Sequence, residues 1–348
     1  MIKKIEYIFN KKSKKIFVIA EMSANHSSDI KNAYKIIDKA KNIGADAIKI
    51  QLYKANKITI NSNKTDFKIK NKNWKKYNTL YNLYRKAETP YIWYDSLKKY
   101  CKKKKIIIFS SVFDLETVDF LERKNCPIYK IASPEITDIP LLTKVAKTNK
   151  PVIISTGLAT EKDLDLAIKT LKKNKCKKIV ILKCTSAYPA PIDELNLSSI
   201  KKIEKKYKTV VGFSDHSLGK IAPIVAISFG AKVIEKHINL EKNNKSVDDF
   251  FSLNVNAFKE MVKNIRDTEK MIGNEEIKIS KNSKKNLSGR KSIYIIKNIN
   301  KNEVFTKYNV GPIRPSYGLH PKYFNLILGK KSKKNLKFGQ RMKLSFIN

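Results

Sequence analysis

Apolar, β-branched runs alternate along this chain with amphipathic, lysine-rich segments. The strand-length runs are Ile16–Met22, Ala47–Tyr53, Ile106–Phe113, Pro127–Ser133, Pro151–Gly157, Lys178–Thr185, Val210–Ser217 and Lys232–Asn239. Most are near-continuous rather than alternating, which is the mark of parallel strands covered on both faces. The segment Asp29–Ile43 places Ala33, Ile36, Ile37 and Ala40 on one helical face, opens on an aspartate and stops at Gly44. Leu115–Lys124, Glu161–Lys173 and Asn256–Ile272 show the same period. Ile221–Phe229 is apolar on nearly every side, which predicts a buried helix. Strand and helix in repeated alternation predict an α/β protein built as a closed parallel (β/α)₈ TIM barrel. An open doubly wound sheet would carry a glycine-rich first turn, and here that turn is Ser23-Ala24-Asn25-His26.

Two segments break the alternation. The connection after the second strand runs from Lys54 to about Trp93 and holds Trp74, Tyr77, Tyr81 and Tyr84 before the Thr89-Pro90 break. A connection this long usually serves the site, and in a barrel it emerges at the catalytic face. The stretch after Gly273 is polar and lysine-rich, as in a linker. The pattern divides the chain into a barrel over 1–275, a linker over 276–288 and a small C-terminal domain over 289–348. Short strands are expected there near Lys291–Ile296, Asn309–Arg314 and Leu336–Leu344.

Composition changes this picture little. The 348 residues leave room for one barrel of about 250 residues and a second unit. No apolar run approaches the roughly 20 residues that span a bilayer. The basic start of the chain runs directly into the first strand, so it reads as part of the fold rather than as a signal peptide. A cytoplasmic protein with no membrane partner is expected. The formal net charge of +42 raises nucleic acid as a partner, but only six of the 73 basic residues are arginine. A diffuse lysine excess predicts weak, salt-sensitive polyanion binding rather than a specific nucleic-acid site. Cys101, Cys126, Cys176 and Cys184 have no CxxC spacing and read as structural thiols.

The chemistry lies at the strand ends, where barrels carry their active residues. In order these ends hold Glu21; Lys49 and Gln51; Ser110 and Ser111; Lys130, Ser133 and Glu135; Ser155; Lys183, Ser186 and Tyr188; Ser214, Asp215 and His216; and Glu235, Lys236 and His237. Charges inside core strands are costly unless paired or ligated, and a structural explanation strains when nearly every strand end carries one. Lys49 and Lys130, with Ser133, Ser155 and Ser214, suit a phosphate and a carboxylate on one small ligand. A buried lysine without an anion is expensive, so both lysines are expected to wait for one. His216 and His237 end neighbouring strands, and two imidazoles with a nearby carboxylate such as Glu21 suit a Mn²⁺-like or Fe²⁺-like cation with open positions.

These segments are familiar as a set. Ile19-Ala20-Glu21-Met22-Ser23-Ala24-Asn25-His26, Gly44-Ala45-Asp46-Ala47-Ile48-Lys49-Ile50-Gln51, Tyr129-Lys130-Ile131-Ala132-Ser133, Cys184-Thr185-Ser186-Ala187-Tyr188-Pro189, Gly212-Phe213-Ser214-Asp215-His216 and Ile234-Glu235-Lys236-His237 resemble the sialic acid synthase family. They follow the family's order across nearly the whole barrel. Ile313-Arg314-Pro315 and Gly318-Leu319-His320-Pro321 resemble the family's antifreeze-like domain. Met22-Ser23, Thr89-Pro90-Tyr91-Ile92-Trp93 and Tyr317-Gly318 resemble its pseudaminic acid branch, whereas the N-acetylneuraminate branch usually has Ala-Gly in place of Met22-Ser23. Two departures stand out: Asn243-Asn244-Lys245 where the family usually has a glycine pair before Asp248, and Arg290-Lys291 where it usually has two arginines.

The resemblance implies a transferase that condenses phosphoenolpyruvate with an amino-sugar aldehyde. It puts phosphoenolpyruvate against Lys49, Lys130, Ser133, Ser155 and Ser214. The sugar meets Gln51, Ser186, Tyr188 and Asp248, and Ser111 joins the substrate-binding candidates. It puts a divalent cation, Mn²⁺ or similar, on His216 and His237, with Glu21 or Glu135 as base. It also implies a domain-exchanged homodimer in which Arg314 acts in trans. The rivals are N-acetylneuraminate or legionaminate synthesis by the same chemistry and, from another class, a non-catalytic polyanion-binding protein.

Overall fold

The computed structural model describes residues 5–10, 13–241 and 246–348. It divides into two compact units, Met1–Gly273 and Asn274–Asn348. The first is a closed parallel barrel. Its strands are β1 (Phe17–Glu21), β2 (Ala47–Gln51), β3 (Ile107–Val112), β4 (Tyr129–Ile131), β5 (Val152–Ser155), β6 (Ile179–Cys184), β7 (Val210–Asp215) and β8 (Val233–Asn239). Each pairs with the next, and β1 pairs in parallel with β8 to shut the cylinder.

A helix follows every strand: α1 (Ile30–Ile43), α2 (Tyr94–Lys104), α3 (Leu115–Arg123), α4 (Ile139–Lys147), α5 (Glu161–Lys173), α6 (Ser199–Tyr207), α7 (Ile221–Ser228) and α8 (Val255–Met271). Capping explains where several begin. The side chains of Asp29, Asp114, Asp138 and Asn254 each accept a backbone N–H at the helix start. Thr160 and Asp163 form a reciprocal capping box at α5. One large core joins the strands to the inner helix faces, with Ile36, Val118, Leu142, Leu171, Ile200 and Phe258 reaching down onto the sheet.

The structure corrects the reading of α7. Pro223, Ala226 and Ile227 are buried, but Ile221 is 78% exposed and Val225 is partly open. A short helix can pack only one face on the barrel, so apolar residues all round do not ensure burial. Among the described residues, no helix is long and apolar enough to cross a membrane.

The second unit has its own small core of Ile293, Ile295, Ile299, Phe305, Val310, Ile327, Leu336, Met342 and Phe346. The strands Ser292–Ile295 and Val310–Ile313 pair antiparallel, and isolated bridges such as Ile299 to Leu336 and Val304 to Lys331 tie the rest together. Gly318 is required for close approach: a Cβ there would lie 2.4 Å from the carbonyl oxygen of Ile293. The start of the second unit is exposed for most of its length and holds one 3₁₀ stretch, Ser283–Gly289.

Candidate active site

At the C-terminal ends of the strands the barrel opens into a cavity of about 560 Å³. Its floor is built by strand alternation, since side chains two residues apart point the same way. Lys49 and Gln51, Cys184 and Ser186, Ser214 and His216, and Glu235 and His237 all line it in this way. Lys130, Ser133, Glu135 and Ser155 complete the floor, and Tyr188 and Asp248 stand at the wall. Its far side belongs to the long connection after β2, through Ile58, Ile69, Trp74, Leu83 and Tyr84. Trp74 donates its indole N–H to the carbonyl of Val247 at 3.0 Å, which ties that connection to the segment carrying Asp248.

The two lysines differ, and one departs from the sequence reading. Lys49 is already paired, with Glu21 at 2.7 Å and Glu235 at 3.6 Å, and it donates to Ser111 Oγ at 2.9 Å. The expectation of a lysine waiting for an anion therefore does not hold for Lys49, because its neighbouring strands bring two carboxylates against it. Lys130 donates only to Ser155 Oγ at 2.6 Å and to the Ile131 carbonyl at 3.1 Å. It is 2% exposed, and among the described residues no carboxylate lies in ion-pair contact with it. Burial pushes its ammonium below the usual lysine range.

The carboxylates separate by environment. Glu21 lies beneath the cavity lining, held by Lys49 and by Gln51, whose amide donates to it at 3.2 Å. Burial pushes it up to about 7 against the pull of Lys49. Burial also raises Glu135 to about 7, and its Oε2 is buried without a hydrogen-bond partner. Burial alone would raise Glu235, yet Lys49, Lys130 and His216 together hold it below the usual range. Glu235 accepts from Ser214 Oγ at 3.1 Å; it stands in the strand-end list, but the sequence reading gives it no role. Its position two residues before His237 on β8 was the available signal.

The hydroxyls lie close by. Ser133 Oγ accepts the backbone N–H of Leu158 at 2.5 Å, and Ser186 Oγ lies 4.0 Å from the sulfur of Cys184. All four cysteines are free and buried, but Cys184 is not merely structural: it lines the cavity with its sulfur 3.8 Å from His216 Nδ1. Asn25 and His26 serve the first turn instead. Asn25 donates to the Ile238 carbonyl, and His26 bonds Thr89 and the Ser28 N–H.

His216 and His237 face each other with ring centroids 5.5 Å apart. Nδ1 of His216 donates to the Thr185 carbonyl at 3.1 Å; burial would lower this imidazole, but Cys184 and that carbonyl hold it above its usual range. Tyr188 packs on the same ring at 4.5 Å. His237 Nδ1 is buried without a hydrogen-bond partner. Burial, then the charges of His216 and Lys49, hold this imidazole well below its usual range, so it is neutral. Asp248 Oδ2 lies 4.0 Å from this Nδ1, and Glu21 is the register partner of His237 across β1 and β8. Ser23 donates to the same Asp248 oxygen at 2.5 Å. Among the described residues, no three His, Cys, Asp or Glu side chains converge as a metal site. Two facing imidazoles are nevertheless donors of a kind that divalent transition metals take.

Of the remaining sequence candidates, Ser111 sits behind Lys49 and outside the cavity lining. Arg314 belongs to the second unit, where its side chain is exposed. The glycine-poor loop Asn243-Asn244-Lys245 lies outside the described residues.

Fold and cavity together define a (β/α)₈-barrel protein with a floor of buried lysines and serines and a two-imidazole wall. The NeuB family model matches residues 36–277, and a SAF domain model matches residues 290–340. The chain belongs to the NeuB family. It is 44% identical over 332 residues to the pseudaminic acid synthase of Campylobacter jejuni subsp. jejuni serotype O:23/36 (strain 81-176), covering 95% of this chain and 96% of that one. It is 41% identical over 321 residues to the pseudaminic acid synthase of Helicobacter pylori, covering 92% and 94%. The crystal structure of N-acetylneuraminic acid (sialic acid) synthetase from Leptospira borgpetersenii serovar Hardjo-bovis, in complex with citrate, matches with a TM-score of 0.69 at 30% identity. That match covers 78% of this chain and 90% of that one.

Proposed function

We propose that this chain is an enzyme that condenses phosphoenolpyruvate with an open-chain amino-sugar aldehyde. In our reading the sugar is 2,4-diacetamido-2,4,6-trideoxy-L-altrose and the products are pseudaminic acid and inorganic phosphate. Lys130 carries the reading: a buried ammonium with hydroxyl and carbonyl partners only, set among Ser133, Ser155 and Ser214 at the catalytic end of a barrel. A dianionic substrate supplies the charge this group lacks. The choice of sugar rests on the pseudaminic acid synthases among the relatives and on Ser23, which touches Asp248 where the N-acetylneuraminate branch usually has glycine. The apolar side of the cavity, Ile58, Ile69, Leu83 and Phe113, suits a deoxy sugar with acetyl groups.

The bonds change as follows. Carbon 3 of phosphoenolpyruvate attacks the aldehyde carbon, and the aldehyde oxygen takes a proton. Water adds to the cationic carbon 2 and loses a proton to a carboxylate, for which Glu135 and Glu21 are the candidates. The C–O bond to phosphate then breaks, phosphate leaves with the electron pair and takes up the proton of the carbon-2 hydroxyl, and carbon 2 becomes a ketone. Lys130, Lys49 and the serines hold the phosphate and carboxylate throughout. His216 and His237 would hold a divalent cation, Mn²⁺ or similar, whose chemistry when bound is polarisation of the aldehyde oxygen. In the same reading the working unit is a homodimer in which Arg314 of one chain completes the other chain's sugar site.

The experiment that tests the role of Lys130 is steady-state phosphate release by Lys130→Met. The variant should raise the phosphoenolpyruvate KM by at least about tenfold, the loss of one charge-assisted bond, or show no turnover. Unchanged KM and kcat would remove the observation on which the reading stands.

A further inference from the structure

Behind the two imidazoles lies a buried ion pair that the chemistry above does not use. Asp215 on β7 and Lys236 on β8 are direct neighbours in the parallel register. Each precedes an imidazole by one residue. Alternation sends Ser214, His216, Glu235 and His237 into the cavity, and Asp215 and Lys236 to the other face of the sheet. Both side chains are wholly buried, with Nζ and Oδ2 2.6 Å apart.

The pair also grips the backbone. Asp215 Oδ1 accepts the N–H of Ser217 at 2.8 Å and its hydroxyl at 2.7 Å. Lys236 Nζ donates to the carbonyl of the same Ser217. One carboxylate and one ammonium thus hold both backbone groups of the residue that follows His216. The carbonyl of His216 itself accepts from Ala190 N–H at 3.0 Å. The peptide carrying one imidazole is pinned on each side, and the pinning group sits next to the other imidazole on β8.

A fully buried ion pair is rarely the most stable choice. The desolvation of both charges offsets most of their attraction, and two apolar residues of similar size often do as well. An arrangement of this kind at the one cross-strand position that abuts both imidazoles points to geometry rather than stability. We propose that Asp215, Lys236 and Ser217 form a positioning clamp that sets the spacing and aim of His216 and His237 for a divalent cation. The inference rests on the two-imidazole metal reading above, and it concerns positioning residues that touch neither substrate nor metal.

The test uses the full chain and Mn²⁺ as probe. The double variant Asp215→Leu/Lys236→Met replaces the pair by apolar side chains and leaves the cavity residues in place. Thermal unfolding without metal reports the fold, and titration calorimetry with electron paramagnetic resonance of bound Mn²⁺ reports the site. The clamp predicts a variant that folds but unfolds at lower temperature, because the N–H, hydroxyl and carbonyl of Ser217 lose their partners, and that binds Mn²⁺ about tenfold more weakly, the low end for changes behind a metal ligand. It also predicts a broader resonance from the bound ion. Should the double variant not fold, Asp215→Glu is read in the same way, since it keeps the charge and moves the carboxylate by one methylene. Parental Mn²⁺ affinity and line shape in a folded variant overturn the clamp while the two-imidazole reading stands. If the parent chain takes up no Mn²⁺, or takes up as much after His216→Ala and His237→Ala, that reading fails and the clamp falls with it.

Discussion

Lys49 and Lys130 look alike along the chain, each a lysine between isoleucine or tyrosine neighbours in a core strand. Their difference comes from register. Glu21 on β1 lies directly across from Lys49, and Glu235 approaches from β8. Among the described residues, Lys130 has no such neighbour in ion-pair contact. Strand pairing decides this, and single-strand patterns do not show it, which is why both lysines read as anion seekers. Glu135 poses a related question of charge. Its carboxyl titrates near 7 instead of 4.5 because burial disfavours the ion. The folded state then binds the proton more tightly than the unfolded chain, so stability falls as pH rises from 4.5 to about 7. Glu135→Gln carries no charge to bury. Its stability should match the parent's at pH 4 and exceed it at pH 8 by up to about 3 kcal/mol. If Glu135 is the base, the same variant also loses the limb of kcat that rises through about 7. Thermal unfolding and rate profiles across this range check both. A parent and variant with parallel stability curves would show that Glu135 is not held neutral by burial.

At the scale of elements, the strands were the most legible part of the chain. Each of the eight barrel strands lies inside its expected run, because near-continuous β-branched stretches have few other uses in a lysine-rich sequence. The site was legible as a list of polar residues at strand ends, and the spacing of two within Lys49 and Gln51, Ser214 and His216, and Glu235 and His237 is what keeps both members of each pair on one face in the structure. The wall from the connection after β2 was legible only as a long aromatic segment. Which of its residues face the cavity depends on tertiary packing such as the Trp74 to Val247 hydrogen bond. The exposed Ile221 of α7 shows the converse, as composition alone did not reveal which face docks. One strand-end turn gives a sharp prediction. A Cβ on Gly157 would lie 2.1 Å from Ser186 Oγ, which faces the cavity. Gly157→Ala should cost about 1–3 kcal/mol of stability through overpacking and displace Ser186, raising the sugar KM more than the phosphoenolpyruvate KM. Equal kinetics and equal stability would mean that Ser186 yields without consequence.

At the scale of the whole molecule, the chain is a barrel and a small second unit with its own core. Arg314 lies in the second unit, exposed, just past the strand Val310–Ile313. A guanidinium offers a rigid fork of donors that suits oxygen pairs on a sugar. Action in trans predicts complementation: Lys130→Met and Arg314→Ala are each inactive alone. Reassembled together they regain part of the parental rate, because a mixed dimer keeps one intact site. Demonstrated heterodimers without activity would place Arg314 within its own chain's site or outside catalysis. A polyanion-binding protein would account for the net charge of +42 but not for the cavity, and it would turn over nothing. The most direct test of the central claim is therefore mass spectrometry of the products formed from phosphoenolpyruvate and a panel of amino sugars with Mn²⁺ present. The account predicts phosphate together with a nine-carbon acid that is the diacetamido-trideoxy sugar extended by a pyruvoyl unit, with N-acetylmannosamine a poor substrate. Clear preference for N-acetylmannosamine would overturn the choice of sugar, and the absence of any extended product across the panel would contradict the condensation itself.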